Sequence, residues 1–259
     1  MFLDSASLRS SIVSHAKTLG YVPTSARASK ATVDVTLNTN TTSATMSAGT
    51  VFTTTVDDVS YQFSTISDVT KSNTGNTIPF VGVDIYEGSF ITTRYSVDSS
   101  DIDQRFLITD NRADTSTLTV KVQTSSTDST TNTFTEATDI TQVAAGSNVY
   151  FLQEVEAGLF EIYFGDGIIG TALSDDNIVI LTYVVSNKSA ANGASIFTNS
   201  AAIASVTDVS VATSATSTAG AEPESLSSIK YNAPLDFASQ GRCVTSEDYK
   251  VFAKKYFPN

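Results

Sequence analysis

The sequence predicts a mainly β protein of the α+β class, with an N-terminal helix, a large β-rich region and a short C-terminal helical segment. Its 38 Thr and 36 Ser among 259 residues favour the solvent face of a sheet, which suits small and β-branched polar side chains. From about residue 33 to residue 211, short alternating stretches are separated by clusters of Gly, Asn, Asp and Ser. Helical spacing of apolar residues is confined to the two ends of the chain.

Residues 1–30 are predicted to hold the first helix and the segment by which the chain leaves it. The helix is expected from residue 4 to residue 19, with Asp4 or Ser5 as its N-cap and Gly20 as its stop. The apolar residues of one face recur at helical spacing: Leu8, Ile12, Ala16 and Leu19.

Residues 31–211 are predicted to form a β-rich domain. Val33, Val35 and Leu37 alternate with Asp34 and Thr36, as in a strand with one buried face. The further strands are expected at Val51–Thr54, Ser60–Phe63, Phe80–Tyr86, Arg105–Thr109, Leu118–Gln123, Val149–Val155, Leu159–Phe164 and Ile178–Val185.

Two stretches contain almost no large apolar residues. Thr124–Thr133 is interpreted as a hairpin tip or surface loop, and residues 212–221 as a linker. Residues 222–259 then read as the start of a C-terminal helical domain that is apparently truncated. Glu222, Pro223 and Glu224 suit the first turn of one helix, and a second is expected from Thr245 to Tyr256. Thr245 would cap this second helix, with Asp248 three residues later in a capping-box arrangement.

Charge and composition argue against several classes of protein. The chain carries 27 acidic and 15 basic residues, for a formal net charge of -12, which is unfavourable for gripping a phosphate backbone. No apolar run approaches the roughly 18 residues that a membrane span requires. Cys243 is alone, so it cannot form an internal disulfide, and this fits assembly in a reducing cytoplasm. We therefore expect no nucleic-acid partner and no membrane partner.

One local motif formally resembles a dinucleotide-binding loop. Phe164 is followed by Gly165, Asp166, Gly167 and, three residues on, Gly170, which satisfies G-x-G-x-x-G after a strand. A strand follows instead of the helix that would receive a pyrophosphate, and the Asp166 carboxylate would repel one. We therefore favour a β-hairpin or bulge turned by Asp-Gly.

The other candidate sites are weaker still. His15 lies on the first helix without a second ligand at metal-binding spacing. The acid clusters Asp98–Asp103 and Asp110–Asp114 match neither an EF-hand nor a pair of catalytic carboxylates, and are read as solvated turns. We therefore expect no enzymatic activity, no metal and no cofactor.

Three segments follow one another along the chain: Leu8–Ser11 with Gly20–Ser25, then Phe164–Gly167 with Tyr183 and Ala191–Gly193, then Arg242–Thr245 with Asp248 and Tyr249. In this order they resemble the bacteriophage baseplate wedge proteins related to the baseplate J family, in particular the wedge subunits of T-even-type contractile tails. The first, Leu8–Ser11 with Gly20–Ser25, is similar to the family's helix-and-exit segment. The second segment, from Phe164 to Gly193, resembles the family's central hairpin. The third segment, from Arg242 to Tyr249, resembles the start of the family's C-terminal helical part. The residues that carry the resemblance are Gly20, Tyr21, Pro23, Phe164, Gly165, Asp166, Gly167, Tyr183, Asn192, Gly193, Arg242, Val244, Thr245, Asp248 and Tyr249.

The resemblance implies a virion structural protein of the tail baseplate, assembled in the host cytoplasm and taking part in the conformational switch on sheath contraction. The implied partners are further copies of the chain in a homo-oligomer, expected to be a dimer within a ring, other wedge subunits, and the small lysozyme-like wedge protein that nucleates the sheath. Because the family's members are longer at both ends, we expect this chain to be a fragment or part of a divided subunit.

Two other interpretations remain open at this stage. An acidic β-sandwich adhesin or receptor-binding module for surface carbohydrate would explain the Ser and Thr content and the strand pattern equally well. It would not explain the segment from Arg242 to Tyr249. A nucleotide-dependent enzyme would rest on the glycines of the 165–170 motif alone.

Overall fold

The structure is a computed structural model, and it describes residues 3–101, 103–137, 143–239, 242–246, 249, 250, 252 and 253. It confirms a mainly β protein with a helix near each end. The two long helices are α1 (Arg9–Thr18) and α2 (Leu226–Ser239). The strands are β1 (Lys30–Asn38), β2 (Ser43–Met46), β3 (Val51–Val56), β4 (Val59–Ser64), β5 (Val69–Ser72), β6 (Thr77–Glu87), β7 (Ser89–Ser96), β8 (Phe106–Ile108), β9 (Ala113–Gln123), β10 (Thr131–Glu136), β11 (Val149–Glu154), β12 (Phe160–Phe164), β13 (Ile178–Val185) and β14 (Val209–Thr218).

The first helix starts later than its sequence pattern predicts. Leu3–Ser5 forms a separate 3-10 turn, and Leu8 stands at the N-cap in extended conformation without a side-chain cap. The predicted start at residue 4 and the cap by Asp4 or Ser5 are therefore wrong, because the extended backbone at Leu8 interrupts the helix. Leu8 is also 67% exposed, so it lies outside the buried face.

The predicted helix stop at Gly20 is confirmed. Gly20 has φ +74°, and its N–H bonds the carbonyl of Lys17 at 3.0 Å. The N–H of Tyr21 reaches back to the carbonyl of Ala16 at 3.0 Å. These two bonds form a Schellman motif, which requires a residue that tolerates left-handed backbone conformation.

Five strands form sheet I, in the order β14-β1-β6-β4-β3. All of its neighbouring pairs are antiparallel. The alternation predicted for β1 is confirmed, since Val33, Val35 and Leu37 are fully buried and the residues between them are only partly covered. With Phe52, Phe63 and Phe80 and the short β2-β5 ribbon they build the first apolar core.

Seven strands form sheet II, in the order β7-β13-β9-β10-β11-β12-β8. All its pairs are antiparallel except β10 with β11, which run parallel. Residues from Phe106 to Tyr183 build the second apolar core, which shares no residue with the first. The region predicted as one β-rich domain thus holds two large sheets with separate cores, besides the β2-β5 ribbon, and sheet II lies between β6 and β14 in the sequence.

Each of the predicted strands lies on an observed strand, and five observed strands were missed: β2, β5, β7, β10 and β14. The loop predicted near Thr124–Thr133 is confirmed up to residue 130, and β10 begins at Thr131. The interpretation of residues 212–221 as a linker is wrong, because most of β14 lies there and pairs with β1. Val209 and Val211 pack on the first core, and buried Ser217 donates to the carbonyl of Ala191.

The two helices pack on each other although they lie at opposite ends of the chain. Ile12 and Ala16 of α1 meet Ile229 and Ala233 of α2 in a third apolar core. Residues 1–30 and the first part of 222–259, predicted as separate elements, therefore form one cluster. Of the second C-terminal helix, helical conformation is described at Ser246, Tyr249, Lys250, Phe252 and Ala253, while Asp248 lies outside the described residues.

Candidate functional site

The first motif, at Gly20, Tyr21 and Pro23, joins the exit of α1 to the start of α2. The phenol of Tyr21 donates to the carboxylate of Glu224, with both oxygens 2.9 Å away. Burial and the neighbouring Glu224 charge raise the pKa of Tyr21 well above its usual value. Pro23 is buried, and the N–H of Thr24 also donates to Glu224, at 3.2 Å. The motif thus fixes the exit segment against α2.

Glu224 gathers further contacts from both helices. Ser228 and Asn232 of α2 donate to its Oε1 at 2.6 and 2.9 Å. The backbone carbonyl of Glu224 accepts from the guanidinium of Arg9 at 2.7 Å. Sequence reasoning placed Glu224 at a helix start but had no signal for this convergence, because its partners Arg9 and Tyr21 lie about two hundred residues away.

The second motif forms a compact loop after β12. The carboxylate of Asp166 accepts the N–H groups of Ile168 and Ile169 at 2.9 and 3.0 Å, which holds its pKa below the usual value. A Cβ on Gly165 would lie 2.0 Å from the carbonyl oxygen of Ile169, so this position excludes every side chain. Gly170 has φ +81°. The loop leaves Ile168 76% exposed at its tip.

The turn chemistry predicted for the second motif is confirmed, and the hairpin is wrong. β12 pairs with β11 and β8, whereas β13 pairs with β7 and β9, so the strands on either side of the loop do not pair with each other. No helix occurs at residues 171–177, and Asp166 already occupies two of the N–H groups of the loop. The geometry therefore lacks the helix N-terminus on which a dinucleotide pyrophosphate would sit.

Phe164 and Tyr183 belong to the core of sheet II. The ring of Phe164 packs edge-on against Phe106 and Phe134, with centroids 5.5 and 5.2 Å apart. Tyr183 is fully buried in the same core. These two aromatic residues stabilise the strands that flank the loop.

Asn192 and Gly193 tie the end of β14 to the start of β1. The side-chain oxygen of Asn192 accepts from the hydroxyl of Ser29 at 2.8 Å and from the N–H of Gly220 at 3.0 Å. Its amide nitrogen donates to the carbonyl of Gly220 at 3.0 Å. The predicted hairpin-like turn is wrong, because Asn192 ends a 3-10 turn at Lys188–Ala191 and Gly193 bonds Ser217 of β14.

The third motif lies at the surface. Val244 and Tyr249 are 78% and 62% exposed, and Arg242 is exposed as well. The N–H of Tyr249 bonds the carbonyl of Thr245 at 3.2 Å, which fits the first turn of the predicted helix. The three motifs thus serve three different parts of the chain, and they do not converge on one catalytic centre.

The structure buries three acids, Glu87, Asp114 and Glu154. Sequence reasoning missed Glu87 and Glu154, and the reading of Asp110–Asp114 as a solvated turn is wrong for Asp114, which lies in β9. The three acids are 1%, 1% and 3% exposed, and among the described residues no other charged side chain is buried. Burial raises the pKa of Glu87 and of Glu154, while hydrogen bonds from Asn187 and from Arg9, respectively, oppose the rise. No local pattern marks these acids, because each is buried by segments that are distant in the sequence.

The three acids lie where sheet II meets the rest of the chain. Both carboxylate oxygens of Glu87 accept from Asn187, at 2.8 Å from its backbone N–H and 2.8 Å from its side chain. Asp114 of β9 accepts the N–H of Ala28 at 2.9 Å. Glu154 of β11 pairs with Arg9 of α1. The chain passes into sheet II at Gly88 and out of it at Val185, and we call these two points the crossings. The contacts of the three acids and the crossings together are called the seam.

A polar cleft of about 250 Å³ opens at the seam beside Glu87, Arg112 and Asn187. Within the described part of the chain, no three His, Cys, Asp or Glu residues are placed to share a metal ion. The same residues include no helix that is both long and apolar enough to cross a bilayer.

The arrangement defines the class of the fold: a β-rich protein of two large sheets and a two-stranded ribbon, in which the described motif residues form turns, caps and core contacts. Residues 91–200 match the family model of the third domain of the bacteriophage baseplate wedge protein gp6. The chain is also 25% identical over 287 aligned positions to baseplate wedge protein gp6 of Enterobacteria phage T4. The alignment covers 99% of this chain and 42% of the T4 protein, so the chain spans less than half the length of that relative.

These comparisons confirm the resemblance to the wedge subunits of T-even-type phages. The matched segment, residues 91–200, contains almost all of sheet II and continues into the residues that connect it to β14. The family's third domain therefore corresponds to the body that is inserted between the strands of sheet I.

Proposed function

We propose that the protein is a structural component of a phage contractile-tail baseplate wedge, located in the virion and assembled in the host cytoplasm. The match of residues 91–200 to a baseplate wedge domain carries this proposal. The similarity to the T4 protein supports it, since that similarity extends over nearly the whole chain. The fold is compatible with a scaffold, because the motif residues serve turns, caps and joints between strands.

The proposed partners are a second copy of the chain, other wedge subunits and the lysozyme-like protein that nucleates the sheath. Among the described residues, the end strands β7 and β14 support such contacts, since no strand pairs with the outer edge of either, although Ser217 near the end of β14 bonds Gly193 and Ala194. β14 carries no charged residue over its ten positions, and β7 carries only Arg94. Neutral edges favour association of a chain whose net charge of -12 would otherwise repel another copy.

We further propose that the protein takes part in the rearrangement of the baseplate when the sheath contracts. Energy for this change would come from subunit interfaces that exist in two arrangements. The separation of the three apolar cores supports it, because bodies with their own cores can reorient without exposing those cores.

Labelling of intact particles tests the proposal. An epitope inserted in the exposed loop between β9 and β10, at residues 126–129, leaves every strand pairing intact. Gold-labelled antibody should then mark the end of the tail away from the head, and untagged particles should carry no label. Label at fibre tips, or on no particle, would defeat the proposal, and specific binding on a glycan array would then favour the adhesin.

A further inference from the structure

The apolar core of sheet II is separate from the other two cores, and polar contacts of buried acids join sheet II to the rest of the chain. The core of sheet I draws on residues 31–85 and 191–203, and the core of sheet II on residues 106–183. The helix core uses residues from both ends of the chain. Since the three cores share no buried residue, a rotation of sheet II would leave the packing inside each of them unchanged.

The chain enters and leaves sheet II through one pair of neighbouring strands. Ser89 opens β7, Val185 closes β13, and the two residues are partners in the strand register. A Cβ on Gly88 would lie 2.2 Å from the carbonyl oxygen of Val185, so the two crossings are in close contact. Gly88 has φ +124°, a region reserved for glycine. Two adjacent crossings at one glycine have the geometry of a hinge.

Away from these crossings, the position of sheet II is held by its own buried acids. Glu154 accepts two bonds from the Arg9 guanidinium, at 2.5 and 2.9 Å. Asp114 accepts the N–H of Ala28 at 2.9 Å, and the neighbouring Thr115 shares a hydrogen bond with Ser25. Buried charge pairs have strict geometry and little net stability, because desolvation offsets their attraction. Such contacts specify one orientation, and their members can separate at modest cost only if the charged groups regain water, as they would when sheet II turns away.

We propose that sheet II turns as one body about the crossings at Gly88 and Val185, and that the contacts Arg9–Glu154 and Ala28–Asp114 latch it in the orientation described here. This inference rests on the proposed function for its biological meaning, since it gives the baseplate rearrangement a location within the subunit. The movement itself is a property of the isolated chain.

A distance measurement between spin labels tests the latch. In a Cys243→Ser background, labels at Thr55→Cys on sheet I and Ser129→Cys beyond β9 occupy exposed positions on the two bodies. The latch-free variant carries Arg9→Ala and Asp114→Ala, which remove the donor to Glu154 and the acceptor for Ala28. The matched control is Lys30→Gln, which breaks the ion pair with Asp84 that lies within sheet I, at 2.8 Å.

We expect one narrow distribution of label distances for the parent chain and for the control. For the latch-free variant we expect a shifted or clearly broadened distribution, together with an unchanged circular dichroism spectrum. An identical distribution in a folded latch-free variant would overturn the inference. These results do not depend on where the protein sits in a virion, so they can fail separately from the proposed function.

Hydrogen exchange in the unmodified chain provides a second test, which does not depend on the variants folding. The N–H of Ala28 donates to Asp114 and the N–H of Thr115 donates to Ser25, so both bonds join sheet II to the segment before β1, whereas Leu181 lies in the core of sheet II. If sheet II turns as a unit, the amides of Ala28 and Thr115 should exchange together and about tenfold or more faster than that of Leu181. Equal protection of seam and core would show that the molecule opens only as a whole, and the hinge would be rejected.

Discussion

The Arg9 guanidinium holds the buried carboxylate of Glu154 through two bonds, from Nε at 2.5 Å and from the second terminal nitrogen at 2.9 Å, across 145 positions of sequence. The Glu154 side chain is inaccessible to solvent, whereas that of Arg9 is 26% accessible. This asymmetry decides what a substitution does, because removing the arginine leaves a buried charge without its partner.

Arg9→Gln should therefore destabilise the chain more than its position near a terminus indicates. We expect a loss of about 3 kcal/mol in the free energy of unfolding, at the lower end for a broken buried pair because Arg9 is partly solvated. Urea unfolding measures this loss. It can be followed by tyrosine fluorescence, since the chain has no tryptophan, or by circular dichroism. Adding Glu154→Gln to the same chain should recover part of the loss, and a double variant as unstable as the sum of both singles would contradict the coupling.

The loop of the second motif gives a prediction with an internal control. Gly165→Ala places a methyl group 2.0 Å from the carbonyl oxygen of Ile169 and 2.7 Å from the carbonyl carbon of Gly170, both of them backbone atoms. The backbone must shift, and we expect a loss of about 3 kcal/mol. A Cβ on Gly146 would meet no atom of the described residues within 4 Å, and Gly146 has no positive φ, so Gly146→Ala should change the melting temperature little. Equal effects of the two substitutions would contradict the geometry.

The sequence predicted features that depend on neighbouring residues and missed those that depend on distant ones. β1 was predictable because Val33, Val35 and Leu37 repeat at the period of a strand, and the end of α1 because Gly20 is its stop. β14 was not, because its Ser, Thr and Ala residues have the composition of a linker and only the pairing with β1 makes them a strand. The burial of the three acids was missed for the same reason.

The motif positions divide in the same way. The turn at Asp166 and Gly167 follows from local chemistry, and the structure confirms it. Whether β12 continues into a hairpin depends on which strands flank it in the sheet, and that order is set by long-range pairing. The role of Asn192 could not be read from its neighbours either, since its partners Ser29 and Gly220 lie in other segments.

The phenol of Tyr21 should stabilise the contact between the two ends of the chain. Tyr21→Phe removes the hydrogen bond to Glu224 but keeps the ring in the helix core. We expect a loss of about 1.5 kcal/mol, since the bond is to a charged acceptor that retains Ser228 and Asn232 as donors. Urea denaturation measures the change. An unchanged midpoint would mean that water replaces the phenol at no cost.

Glu87 should make stability depend on pH in the direction opposite to that of an ordinary ion-paired acid. Burial raises its pKa above the unfolded value, although Asn187 donates to it and the Arg112 charge lies nearby. The folded state therefore binds the proton more tightly than the unfolded state. The stabilisation by the protonated form is complete below the unfolded pKa of about 4.3 and is lost as the pH rises through the folded pKa.

Glu87→Gln isolates this effect, because an amide cannot ionise and can still bond Asn187 if the asparagine amide turns over. Unfolding by urea should be compared at pH 7.5 and at pH 5.0 for both chains, so that the other acids cancel in the difference. We expect the stability of the variant relative to the parent to be greatest at pH 7.5 and to fall at pH 5.0. A difference that is the same at both pH values, or that grows on acidification, would show that Glu87 is not destabilised by burial in the folded chain.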